Sequence, residues 1–371
     1  MKTIPTRTKQ AAPRNIELDY LRVICTLLIV CLHITGLETT KLHLQQGSAE
    51  SAIYAFLQLV LCMGLPPFFM LSGAFMISKK ITSVISFYRR SFSRLLPWSI
   101  FFFIVGSFFQ ILNISYHEGT SVWDTDLVSF YHTWFVRGGT GVLWFIPALM
   151  GLYLLTPILV WIRERVSFIH FCLLTAAVFA ATNYLLIPCL GADYASYGIN
   201  WFKGMFFIGH YMLGYCIYIF CKQNKWRWFN ATTIGTVFII LLICCAVWIS
   251  PCYTEGAEFH PHLNAQGCLP IVLSALLFTF FNKISLPPSR IVSTISSCSI
   301  VIYLSHNYMP LPIIRFGLKY SGLWDTAYRD SLLLQVGCYA VAIPFAILLA
   351  LALQRGAQYL FSHARLRAGQ P

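Results

Sequence analysis

Apolar residues run along this chain in long unbroken stretches, not in the short alternating pattern of half-buried strands. A helix that crosses the hydrocarbon core of a bilayer needs about 20 mostly apolar residues. Ten stretches meet or approach that length: 18–36, 53–77, 95–114, 142–161, 168–188, 202–220, 231–249, 269–281, 291–311 and 332–353. The pattern predicts an all-α, polytopic membrane protein. Its expected organisation is a cytoplasmic tail over 1–17, one transmembrane domain over 18–353, and a basic cytoplasmic tail over 354–371.

The polar residues between the stretches test this reading. Basic residues collect on the cytoplasmic side of a membrane protein. Of 26 Lys and Arg, the even-numbered connections and the two tails hold all but six: Lys41, Arg137, Lys203, Arg315, Lys319 and Arg329. Acidic residues split the other way, with only Glu17, Asp19 and Glu164 on the basic side. A wrong span count would scramble this parity. Both termini are therefore expected in the cytoplasm. The first stretch carries Arg22 and His33 and has no small-residue cleavage site after it, so it reads as a retained helix rather than a signal peptide.

Composition agrees. Of 371 residues, 57% are hydrophobic and 11% charged, with a mean hydropathy of +0.68. Soluble domains carry about 25% charged residues. The net charge of +13 would suggest nucleic acid in a soluble protein; here basic cytoplasmic loops account for it, and no nucleic-acid partner is expected. Most of the 13 cysteines lie inside apolar runs and read as small packing residues. Cys252 and Cys268 differ. They stand at the two ends of an outer loop, where a disulfide would close about 16 residues at about 3 kcal/mol in the chain-entropy model. Two single interfacial thiols are the alternative.

Ionisable residues within a span are costly and usually functional. His33, His210 and His306 fall in the first, sixth and ninth stretches. Arg22 and His33 are eleven residues apart, about three helical turns and about 16 Å of rise, so they share one face. That face points to a pathway with a cation at its cytoplasmic mouth and a base deeper in. Neutral histidines bonded to a neighbouring helix are the alternative. A zinc site of the three has no short ligand spacing to support it. Arg90 and Arg94 share a face at the start of the third stretch, beside Arg89; their guanidinium forks suit phosphate, while a plain topology anchor explains them equally. No phosphate-loop or serine-elbow motif occurs.

Several segments resemble the membrane acyltransferase-3 family. Leu18-Asp19-Tyr20-Leu21-Arg22 followed by His33 resembles its first-helix signature, and Pro66-Pro67-Phe68-Phe69-Met70-Leu71-Ser72-Gly73 its second. The Arg89–Pro97 stretch, then Trp144-Phe145-Ile146-Pro147-Ala148-Leu149 with Tyr153 and Pro157, and then Ile302-Tyr303-Leu304-Ser305-His306 follow in order. One departure is visible: Ser91 stands where the family's first basic-motif Arg would be, so the likeness carries to Arg94 more directly than to Arg90 or Arg89. Within the family the chain resembles the short bacterial O-acetyltransferases of surface polysaccharides, of the enterobacterial common antigen kind. Some members add an extracellular hydrolase-like domain; here the membrane part is expected to work alone.

The resemblance implies an enzyme of the bacterial inner membrane, with acetyl-CoA as donor substrate, a glycan or lipid-linked glycan hydroxyl as acceptor, and no permanently bound cofactor or metal. Arg94, Arg90, Arg89 and Arg22 would meet the donor's phosphates. His33 would act as general base or covalent acyl carrier, with His306 orienting it or binding acceptor. Glu38, His132, Trp134, Trp144 and His210 would face the acceptor. A proton-coupled transporter or flippase of a glycan or small solute is the competing class, lowered by the lack of an inverted repeat.

Overall fold

The computed structural model describes residues 14–35, 49–118, 144–182, 206–249, 268–323 and 332–367, together with Asp126 and Val128. Every regular element among the described residues is helical. In chain order they are α1 (Ile16–Thr35), α2 (Ala49–Cys62), α3 (Pro66–Ile77), α4 (Val84–Glu118), α5 (Phe145–Arg165), α6 (Phe168–Ala180), α7 (Ile208–Gln223), α8 (Ala231–Ile249), α9 (Cys268–Phe281), α10 (Arg290–Ser305), α11 (Pro310–Tyr320) and α12 (Leu332–Arg367). Five stretches among the described residues are long and apolar enough to cross a membrane: 52–77, 84–109, 145–165, 231–248 and 336–359. Segments α6, α9 and α10 are shorter apolar helices.

Four elements depart from the expected spans; one is α12, which runs past the tenth stretch to Arg367. The second stretch is broken at Gly64, after which Pro66 and Pro67 open α3; proline suits a first helical turn because its missing N–H has no intrahelical partner there. The ninth stretch ends early. Segment α10 stops at Ser305 with His306 as its C-cap, and Pro310 starts the separate α11, so the apolar run 291–311 hides a turn. Conversely, α4 begins eleven residues before the third stretch, because the Arg-rich segment is already helical.

Two helix pairs frame the interior. Gly73 and Gly214 let α3 and α7 touch through their backbones. A methyl group at Gly73 would sit 1.7 Å from the Tyr211 carbonyl oxygen, and one at Gly214 would sit 2.0 Å from that of Met70. Phe69 stacks on Phe207 at 4.2 Å, and Phe75 meets Tyr218 six residues further along α3 and eleven along α7, so the two helices run parallel. The second pair is α1 and α10. Arg14 donates to the Ser293 carbonyl, Arg22 to the Ser296 hydroxyl, and His33 meets His306. Both sequences advance together along this seam, which makes it parallel as well.

Behind the seam lies α12, whose Ala342, Ala346 and Ala350 are fully buried at four-residue spacing. Small residues on one face allow the close approach that membrane helices use in place of hydrophobic driving force. Outward, α8 exposes Ile239, Ile240, Ile243, Val247 and Trp248, an apolar surface suited to lipid. Arg165 over Trp161, Lys222 over Tyr218 and Lys283 over Phe229 form cation–π contacts at helix ends.

The close crossing generates a prediction. Gly73→Ala or Gly214→Ala must push two backbones apart, an overpacking cost of about 1–3 kcal/mol, read as a lower melting temperature in detergent. Gly151→Ala, with nothing within 4 Å of the new carbon, leaves it unchanged.

Candidate functional site

The α1–α10 seam carries two polar clusters, one at each end. At the first, Asp19 is 3% exposed and forms ion pairs with Arg14 and Arg22. Its Oδ1 accepts from the Ser296 hydroxyl at 2.6 Å, while Arg22 Nη1 donates to the same carboxylate oxygen at 3.0 Å and to Ser296 Oγ at 2.9 Å. A buried carboxylate with two cations and a hydroxyl is a satisfied anion. The arrangement fixes the Arg22 guanidinium where it lines a cavity of about 160 Å³. Ser72, Leu95, Tyr153, Ser299 and Tyr303 share that lining. The Tyr153 phenol interacts with the Ser72 side chain and with the charges of Arg22 and Arg94.

At the second cluster, His33 Nδ1 and His306 Nε2 are 2.8 Å apart, and the rings stack at 4.9 Å with 20° between planes. His306 is fully buried. One nitrogen of the pair donates and the other accepts, so each ring's remaining nitrogen has a fixed tautomer. Where His33 Nδ1–H donates, His33 Nε2 is left with a free lone pair. His306 reaches this position as the C-cap of α10, held by its N–H donating to the Ile302 carbonyl. Tyr303 meets His306 edge-on at 5.8 Å and Phe145 at 4.9 Å. It is therefore the partition between the cavity and the histidine pair.

The structure thus brings together Arg22, His33 and His306. Trp144 and His210 come together elsewhere, on either side of Phe207, at 5.7 and 5.3 Å. Both ring nitrogens of the buried His210 lack a hydrogen-bond partner among the described residues. Glu38, His132, Trp134 and Cys252 lie outside the described residues. Arg89, Arg90 and Arg94 are all exposed. Desolvation lowers the Lys79 ammonium from its ordinary pKa, and the charges of Arg94 and Arg90 lower it further. Arg163 donates to the Lys79 carbonyl at 3.1 Å. These four cations form one cluster; Arg89 does not act on Lys79.

The sequence pattern left Asp19, Ser72, Tyr153, Lys79, Arg163 and Ser296 without site roles. Ser72 and Tyr153 sit inside the recurring segments quoted above, a signal that marked them without assigning chemistry. Asp19 read as a helix-start acid, Lys79 and Arg163 as topology anchors. Ser296 carries no sequence signal.

A family model described as an acyltransferase domain, that of the acyltransferase-3 family, matches residues 15–351. The chain belongs to this family and is an acyltransferase. No curated protein and no solved structure matches it. The histidine pair then generates a prediction. His33→Ala and His306→Ala each remove the hydrogen bond that fixes the other ring. Their combined loss of acyl transfer is therefore expected to be no greater than the larger single loss, because residues acting as a unit are not additive. The measurement is transfer rate in both singles and the double; multiplicative losses would separate the two rings.

Proposed function

We propose that this acyltransferase moves an acetyl group from cytoplasmic acetyl-CoA to a hydroxyl of a surface polysaccharide, or of its lipid-linked precursor, in the inner membrane of a bacterium. The acceptor class includes polymers of the enterobacterial common antigen kind. The observation that carries the reading is the hydrogen-bonded His33–His306 pair, eleven residues above an Arg22 that opens onto a cavity at the basic end of the bundle.

The chemistry assigns the two ends. The donor is a polyanion and an acyl thioester in one molecule. Lys79, Arg90, Arg94 and Arg163 offer charge and forked donors for its phosphates. The cavity beside Arg22 and Tyr153 takes the thin part of the donor past Leu95 and Leu149 toward Tyr303. A sugar hydroxyl is far too weak an acid to react unaided and needs a base. His33 Nε2 takes that proton while His306 holds Nδ1. Acceptor approaches on the side of Trp144 and His210, where an aromatic face and two unpaired ring nitrogens suit a sugar ring and its hydroxyls. The parallel course of α1 with α10 and of α3 with α7 supports the parity of Lys and Arg, which expects spans one and nine, and two and six, to run in the same direction. Ten spans with both termini in the cytoplasm complete the proposed topology.

Arg94→Ala is expected to raise the KM for acetyl-CoA, with the acceptor KM little changed. Loss of one charged hydrogen bond is worth about 1.5–3 kcal/mol, or roughly 10- to 150-fold. Arg94→Lys should recover part of it, since an ammonium binds phosphate as a point charge. Arg89→Ala is expected to change neither KM. The assay is label transfer from radiolabelled acetyl-CoA into polysaccharide by membranes containing each variant; equal donor KM values throughout would return these arginines to topology anchors.

A further inference from the structure

Tyr308 lies in the turn between α10 and α11, two residues past His306. The residue is 5% exposed, and its hydroxyl has no hydrogen-bond partner among the described residues. Its ring stacks on Phe102 of α4 at 6.3 Å and lies across Gly106, where a methyl group would meet the phenol ring at 2.7 Å and its oxygen at 2.8 Å. Gly106 therefore leaves the space that the phenol fills. A buried hydroxyl without a partner is costly relative to a satisfied one. Phenylalanine would fill the same space without that cost.

The hydroxyl stands within about one helical turn of the histidine pair along the bundle. Leu95 of α4 lines the cavity with Ser299 and Ile300 of α10, and seven residues further Phe102 meets Tyr308. Segments α4 and α10 therefore climb together, as α1 and α10 do. Arg22 to His33 is eleven residues, about three turns, and Leu95 to Gly106 is also eleven, counted from Ser299 about one turn higher, so the two contacts lie within about one turn of each other. The phenol of Tyr308 also interacts with that of Tyr303, the residue that separates the cavity from His306. The unpaired donor thus lies near Tyr303, the wall between the cavity and the histidine pair, which the acyl group must pass on the reading above.

We propose that the Tyr308 hydroxyl is a catalytic hydrogen-bond donor to the acyl carbonyl oxygen, stabilising the negative charge that develops there during transfer. The proposal rests on the reading of His33 as base and of an acyl thioester as donor. The acceptor oxygen attacks the thioester carbon as its proton passes to His33 Nε2. A C–O bond forms, and the carbonyl π pair moves onto the oxygen that Tyr308 holds. When that pair returns, the C–S bond breaks, and the leaving thiolate takes the proton from His33. The products are the ester and the free thiol.

The test uses the full chain, purified in detergent, with radiolabelled acetyl-CoA and polysaccharide extracted from a host strain lacking this protein. Tyr308→Phe is expected to lower kcat roughly 100-fold, the scale of losing one oxyanion donor. The KM for acetyl-CoA should stay near wild type, and the melting temperature should be unchanged or higher. A kcat near wild type overturns the proposal. Should the variant melt lower, Tyr308→3-fluorotyrosine decides, because it keeps the ring's shape and makes the phenol more acidic. A shifted kcat then supports the donor role, and an unchanged one overturns it. Wild-type transfer that Tyr308→Phe leaves intact defeats this inference alone. A wild-type protein that transfers no acetyl overturns the donor reading and this inference with it.

Discussion

A polar group inside an apolar bundle is costly unless it is paired, and the seam between α1 and α10 pairs a buried carboxylate with its cations and one histidine with another. Asp19, Arg14, Arg22 and Ser296 satisfy one another at one end; at the other, His33 Nδ1 bonds His306 Nε2, and His306 Nδ1 has no partner among the described residues. Breaking either cluster would leave a buried charge or ring nitrogen unpaired, at a cost set by desolvation rather than by the lost bond. The seam therefore fixes the register of two helices that are more than 250 residues apart in sequence. It also fixes the distance between a cation and a base. Site and scaffold share the same hydrogen bonds.

The second frame is steric. The backbone contact of α3 and α7 at Gly73 and Gly214 brings Phe69 onto Phe207. From Phe207 a continuous layer of rings runs through Trp144 and Phe145 to Tyr303 and on to His306. Aromatic pairs at these separations prefer edge-to-face or offset geometries, and three of the five pairs here are tilted or edge-to-face. Such a layer is stiff and dry. It sets Tyr303 as the wall between cavity and histidines, and it places His210 at the layer's far edge against Phe179 and Phe207. A base works best where water is excluded and its partner's dipole is fixed in advance.

The two ends of the bundle divide the chemistry between them. On the proposed reading, the exposed arginines of α4 meet the donor's phosphates at the water-facing end. The histidines and Tyr308 lie where few waters compete for hydrogen bonds. The same helix, α4, carries both Arg94 and the Gly106 seat of Tyr308, so in the proposed mechanism one element links donor binding to transfer.

Hydropathy alone determined that the chain is helical and membrane-spanning, because a stretch of about 20 apolar residues has few other uses. It also placed α8 at its observed bounds and brought Arg22 and His33 to one helix face, since period and rise are local properties. The family resemblance rested on short ordered motifs, and the family match over residues 15–351 supports it. What lay beyond the sequence was everything that depends on which helix meets which. The partner of His33 could be named as His306 but not shown to touch it. Asp19, Lys79 and Arg163 looked like ordinary helix-end charges. The turn at His306 was hidden because the apolar run continues through it. Tyr308 had no mark at all, for a hydroxyl's importance lies in the bonds it lacks, and only the packing of α4 against α10 decides whether a partner is within reach.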